Sequence, residues 1–347
     1  MIRFNSDYSE GAHSKIIEKM IETNMEQTPG YGEDMYCKRA AELIKKKCLN
    51  EDVDVHFLVG GTQTNLIVIA SALRPHQCAI AAASGHISTH ETGAIEATGH
   101  KVVELPSEDG KLTARQILEV YMAHQNDENY EHTVQPKLVY ISNPTELGTI
   151  YSREELESIS KVCRESGMYL FLDGARLGYG LTSVENDLDL PVITKCCDVF
   201  YIGGTKIGAL FGEAVVIVND TLKPDFRYIM KQRGGMLAKG RLLGIQFLTL
   251  FENDLYFEIS SHANKMAAII KQAFLENGCQ FLIETSTNQQ FPIMTDDVLE
   301  KLKEKYSFIY WQRIDESQSA VRFCTSWATK EEDVLKLVED IHKIIWK

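Results

Sequence analysis

Tyr169-Leu-Phe-Leu-Asp173-Gly-Ala-Arg176 and, further on, Val199-Phe-Tyr-Ile202-Gly-Gly-Thr205-Lys206 decide how this chain is read. Each opens on a short apolar run without polar alternation, as expected of a strand covered on both faces. Each then turns polar where a strand would end. Asp173 and Lys206 stand 33 positions apart. In open parallel sheets, ligands gather at the carboxyl ends of the strands, so the two charges would face one crevice. Taken singly, Asp173 also fits a helix cap and Lys206 a solvated charge.

Outward from these runs, strands are predicted over Cys78–Ala83, Lys101–Leu105, Lys137–Ser142, Asp198–Ile202 and Ala214–Val218. Apolar spacing places helices between them at Thr62–Leu73, His86–Thr98, Thr113–His124 and Arg153–Ser166. Ser152 and Glu155 form a capping-box pattern. Strands alternating with helices imply an α/β fold with a mostly parallel sheet. From Gly240 the pattern becomes α+β. A long helical stretch over Arg241–Asn277 precedes short strands near Gln280–Glu284, Ser307–Trp311 and Ala320–Cys324, and a last helix over Lys330–Ile345. The expected division is an N-terminal segment 1–15 near the site, a large α/β domain 16–239 and a smaller C-terminal α+β domain 240–347.

The 347 residues carry 36 Lys+Arg against 49 Asp+Glu, a net charge of −13. That balance argues against a general nucleic-acid binder, which needs a basic face for phosphates. No apolar run approaches a membrane span. The opening Met1–Glu10 lacks a leader pattern, so a cytoplasmic protein is expected. Eight cysteines include no C-x-x-C pair, and adjacent Cys196-Cys197 suit tetrahedral metal poorly. They read as buried thiols in a reducing compartment, and no metal is expected.

Gly60-Gly61-Thr62-Gln-Thr-Asn-Leu66 follows the apolar Phe57-Leu-Val59 and opens a helix. Small residues there would expose N–H groups suited to phosphate, although a plain glycine turn fits too. The stretch matches no nucleotide fingerprint. A phosphate cradle, a strand-end Asp and a strand-end Lys are together what pyridoxal 5′-phosphate requires. The lysine condenses with its aldehyde, and the carboxylate keeps the pyridine nitrogen protonated.

The residues then resemble a known family in order along nearly the whole chain. The matching motifs are Asn5-Ser6-Asp7, Tyr31-Gly32-Glu33-Asp34, Gly61 to Leu66, His86, Asp173-Gly-Ala-Arg176, Lys206, Gly234-Gly235-Met236 and Val321-Arg322. The chain resembles the low-specificity L-threonine aldolase branch of the fold-type-I pyridoxal-phosphate enzymes, also called β-eliminating lyases. The resemblance implies Lys206 as the lysine bonded to the cofactor, Asp173 on the pyridine nitrogen, and Gly61 and Thr62 on the phosphate. It implies His86 stacked on the ring as acid or base and Asn143 beside the ring. Ser6, Arg176 and Arg322 would receive the carboxylate of a small amino-acid substrate, a task suited to arginine's fork. It further implies a homo-oligomer, at least a dimer, sharing its sites. The implied reaction is retro-aldol cleavage of a β-hydroxy amino acid to glycine and an aldehyde. β-Elimination on another amino acid and a non-catalytic module retaining the fold stay open.

Three positions depart from the family pattern. A histidine usually follows the asparagine matching Asn143; here the segment is Asn143-Pro-Thr-Glu146, which leaves His86, Glu146 or water as base. Lys206 is flanked by Thr205 and Ile207 instead of serine and glycine. Leu237 stands where an arginine usually reaches a neighbour's phosphate, so Lys231, near Arg233 and Lys239, is the expected substitute. The site is therefore expected to be an electropositive island within an acidic protein.

Overall fold

The computed structural model describes residues 1–345. Seven strands form the central sheet: β1 Asp54–Leu58, β2 Gln77–Ala82, β3 Lys101–Leu105, β4 Gln135–Ser142, β5 Tyr169–Asp173, β6 Val199–Gly203 and β7 Glu213–Ile217. Their spatial order is β1-β7-β6-β5-β4-β2-β3. The pairs β2–β3, β2–β4, β4–β5 and β5–β6 are parallel. β7 runs antiparallel to both neighbours, β6 and β1. The sheet is thus mixed at one side. The link from Gly203 to Glu213 is too short for a crossover helix, which takes a dozen residues or so, and only a reversal fits. Composition hides this reversal, because β2, β6 and β7 are all buried along their full length.

Helices Gly61–Ala72, Ala114–Gln125 and Arg153–Glu165 lie where apolar spacing puts them, and the Ser152–Glu155 capping box is present. Two expected helices are broken. The stretch 86–98 is a helix only over His86–Thr89, followed by a 3-10 turn at Glu96–Thr98. Thr92 and Gly93, at φ 50° and 72°, interrupt it. The run 241–277 is two helices, Arg241–Glu252 and Leu255–Glu276, parted at Asp254 with φ 56°. A left-handed residue breaks the 3.6-residue period that apolar spacing alone does not register.

Two large apolar clusters cover the faces of the sheet. Arg241–Glu252 contributes Ile245, Phe247 and Leu250 to the first. A third cluster gathers Met266, Phe274, Val321, Phe323 and Leu337 around strands Ile293–Thr295, Ile309–Arg313 and Gln318–Cys324. The expected strand near 280–284 is a single bridge, Phe281 to Pro292. Ile2–Arg3 pairs with Tyr306–Ser307, and Phe4 is buried in the third cluster, which fixes the N-terminal segment. Among the described residues no helix is long and apolar enough to cross a membrane, and no cluster of His, Cys, Asp or Glu could hold a metal ion.

The strand ends meet tightly. The Gly203 N–H donates to Gly174 O at 2.9 Å. A Cβ on Gly174 would come within 1.9 Å of Tyr201 O, and one on Gly203 within 2.3 Å of Ala175 O. Both obstacles are backbone, so neither can turn aside. Gly174→Ala should cost about 1–3 kcal/mol or more in urea unfolding. Gly60→Ala, which meets nothing within 4 Å, should stay within about 0.5 kcal/mol. Equal effects would contradict this packing.

Candidate active site

β5 delivers Asp173, β6 continues through Gly203-Gly-Thr205 to Lys206, and the helix from Gly61 points its first turn at both. Gly60 precedes that helix without a side-chain cap, which leaves its first N–H groups free of intrahelical partners. A cavity of about 400 Å³ joins them. Of the residues expected from sequence, it brings together Gly61, Thr62, His86, Glu146, Asp173, Arg176 and Lys206. Tyr8, His90, Tyr201, Thr205 and Glu213 also line it.

Four donors converge on the Asp173 carboxylate. Oδ1 accepts the Ala175 N–H at 2.9 Å and the Tyr201 hydroxyl; Oδ2 accepts the Tyr140 hydroxyl at 2.5 Å and Asn65 Nδ2 at 3.2 Å. Lys206 Nζ has no hydrogen bond or ion pair among the described residues. Burial and the nearby Arg176 charge push its amine below the ordinary lysine range, against Asp7, Asp173 and Glu213. A lowered lysine holds more of its free, nucleophilic form.

Arg176 is tied by its Nε to Asp7 Oδ2 at 2.7 Å and by Nη2 to Asp7 Oδ1 at 3.1 Å. Burial pushes Asp7 up, but the guanidinium overrides it and holds the carboxyl below its usual range. Arg322 stands apart on strand Gln318–Cys324. It donates to Gln289 Oε1 and Asn5 O, lies over the Trp311 ring, and keeps a buried Nε without a partner. Ser6 Oγ pairs with Ser9 Oγ at 2.9 Å. Asn143 is fully buried; its Oδ1 accepts the Tyr151 N–H, and its Nδ2 has no partner. Lys231 Nζ lies 4.6 Å from the Tyr31 ring centre, outside the cavity of its own chain.

The cavity is less positive than the sequence suggests. Burial, with Asp173 behind it, raises the Glu146 carboxyl; its Oε1 accepts the Ser142 hydroxyl at 2.8 Å and the His86 N–H at 2.9 Å. Burial pushes Glu213 up to about 8, and its oxygens meet Thr205 Oγ1 at 2.8 Å and the Gly204 N–H at 3.1 Å. Sequence reasoning missed Glu213, yet the signal was that of Asp173: a charge bordering a continuous apolar run, here Ala214–Val218. Tyr140, Tyr201 and Asn65 carry no such mark, since a hydroxyl or amide within an apolar segment reads as core.

The Beta-eliminating lyase family matches residues 4–297. A low-specificity L-threonine aldolase from a Pseudomonas species is 31% identical, over 99% of this chain and 98% of its own length. The chain belongs to this family, in its low-specificity L-threonine aldolase branch. Among solved structures, a Leishmania major threonine aldolase superposes with a TM-score of 0.97 at 49% identity, covering 99% of this chain and 100% of that one. A Thermus thermophilus aspartate aminotransferase variant, 12% identical over 99% of this chain and 91% of that one, shares the fold alone at a TM-score of 0.70.

The fold is that of the fold-type-I enzymes, and the family's cofactor is pyridoxal 5′-phosphate. The residues fit it: the partnerless amine of half-buried Lys206, a strand-end carboxylate and an uncapped helix start line one cavity. Gly61 keeps that start open: a Cβ there would lie 3.1 Å from Tyr201 Oη, a tight contact.

Two outcomes follow for the buried acids. Asp7→Asn leaves Arg176 charged and unpaired, a loss of about 3–5 kcal/mol in urea unfolding; an unchanged midpoint would rule out the pairing. Glu213 is neutral below about 8 and gains charge above it, in one cavity with Lys206 and the uncapped helix start at Gly61. Cofactor affinity, read by fluorescence titration, should therefore fall as pH rises past 8, and fall less steeply in Glu213→Gln. Parallel pH curves would count against this role.

Proposed function

We propose that the chain is a pyridoxal-phosphate-dependent aldehyde-lyase that cleaves L-threonine or L-allo-threonine to glycine and acetaldehyde. The observation that carries the reading is the partnerless Lys206 amine in one cavity with Asp173 and the uncapped helix at Gly61. The threonine aldolases to which the chain is similar supply the substrate class.

Lys206 would hold the cofactor covalently through Nζ, and Asp173 would face the pyridine nitrogen. The Gly61 N–H and the Thr62 hydroxyl would take the phosphate, His86 would stack on the ring, and Asn143 would back it. When bound, the cofactor supplies an electron sink for the carbanion left at Cα. Arg322 and Ser6, with Arg176, orient the substrate carboxylate; the spare Arg322 Nε suits this. His86 Nε2 takes the β-hydroxyl proton while the Cα–Cβ bond breaks, Cβ departs as the aldehyde carbonyl, and a proton delivered to Cα completes glycine. Glu146 Oε1, already holding two donors, supports the His86 backbone.

In the same reading, residues 1–15 border the site, 16–239 carry the cofactor and 240–347 bring Arg322. The chain works as a dimer or a dimer of dimers, with Lys231 reaching a neighbour's phosphate from beside the half-exposed Tyr31. Free thiols throughout suit a reducing cytoplasm.

The test incubates wild type and Lys206→Ala with threonine, allo-threonine and cysteine. Wild type should release glycine and acetaldehyde, and the variant should lose this by more than about 1,000-fold. Ketoacid and sulfide from cysteine, with no glycine from threonine, would replace the aldolase reading with β-elimination.

A further inference from the structure

Around His86 the polar atoms leave few choices. Its ring Nδ1 lies 2.7 Å from Glu91 Oε1. The Glu91 side chain has no solvent exposure, whereas that of His86 is 32% exposed. The same Oε1 lies 2.7 Å from Asn65 Nδ2, which also lies 3.2 Å from Asp173 Oδ2. An amide end facing two carboxylates is the NH2 end, since its oxygen would meet only acceptors. Glu91 Oε1 is therefore an acceptor towards Asn65. The proton between that oxygen and the imidazole then belongs to Nδ1. No other hydrogen bond reaches the ring among the described residues, so Nε2 is left for the cavity that His86 lines.

We infer that Glu91 is a positioning residue: it holds the imidazole proton on Nδ1 and so fixes Nε2 as the atom that accepts the substrate's β-hydroxyl proton. This rests on the role proposed for His86. A buried carboxylate that orients a histidine and selects its tautomer is a recurrent arrangement. Here it also spans three elements. Glu91 follows the short helix His86–Thr89, Asn65 sits on the helix whose start cradles phosphate, and Asp173 ends β5. One Asn65 amide thus ties the acid behind the base to the carboxylate facing the ring nitrogen.

The charges facing the imidazole come from every side. Glu91, Asp173 and Glu146 are acidic neighbours; Lys206 and His90 are basic ones. Burial pushes His86 down, but Glu91 and Asp173 outweigh it, and the imidazole is held above its ordinary value. Protonated His86 cannot act as base, so activity should fall on the acid side as pH drops through that raised value. Glu91→Gln keeps an acceptor for Nδ1 but removes the charge, and His86 should then stay neutral to lower pH. Glu91→Ala removes the acceptor altogether.

The experiment combines three measurements on holoenzyme. Histidine 15N NMR of wild type should show the His86 proton on Nδ1, which needs no variant to fold; a proton resident on Nε2 in the neutral ring would overturn the inference. Glu91→Gln should move the acidic limb of the kcat/KM profile for threonine to lower pH by about one unit, a tenfold change in the governing constant. Glu91→Ala should lower kcat by about 10–100-fold while KM moves far less. An acidic limb unmoved in Glu91→Gln, in a variant with wild-type cofactor absorbance, would sink the idea. His86→Gln separates the two levels. If it retains full activity, the role proposed for His86 fails; if it is impaired while both Glu91 variants match wild type, only the inference about Glu91 fails.

Discussion

The buried carboxylate of Asp173 is the constraint on which the rest of the site depends. Four donors hold it, and they come from β4, the Gly61–Ala72 helix, the turn after β5 and β6. Those same elements carry the uncapped helix start at Gly61 and, just past β6, Lys206. Gly174 and Gly203 let the β5 and β6 ends close to backbone contact, so the carboxylate and the lysine share one wall of the cavity. A side chain at either glycine would part them. Geometry at the site is therefore set by sheet packing, not by the loops around it.

Electrostatics follow a different rule from the one the net charge suggests. An acidic chain was expected to build a positive island, yet Asp7, Glu146 and Glu213 stand among the cations. Two effects reconcile these facts. Asp7 is spent on Arg176 through two hydrogen bonds, while burial pushes the Glu146 carboxyl above its usual range and Glu213 up to about 8. Lys206 meanwhile is pushed towards its neutral form. The cavity lowers its charge on both signs, and a phosphate would then depend on N–H and hydroxyl donors more than on ion pairs.

Much of this was legible in the sequence, and the reason is local. β5, β6 and their polar ends follow from continuous apolar runs, and the Ser152–Glu155 capping box marks a helix start without tertiary context. What escaped was non-local or left-handed. β7 reads as any buried strand, and only the shortness of its link to β6 betrays its reversed direction. Thr92 and Asp254 break helices through positive φ at residues that are not glycine, which apolar spacing does not register. At the site, Asp173, Lys206, Gly61 and His86 carry chemistry in their types. Asn65, Glu91 and Tyr201 gain theirs only once distant segments meet.

Covalent capture of the cofactor by Lys206 is open to direct chemical test. Borohydride reduction of holoenzyme followed by proteolysis and mass spectrometry tests it most directly. A single pyridoxyl-modified peptide carrying Lys206 is expected. Modification confined to another lysine, such as Lys231 or Lys239, or no modified peptide from protein that binds the cofactor, would contradict it.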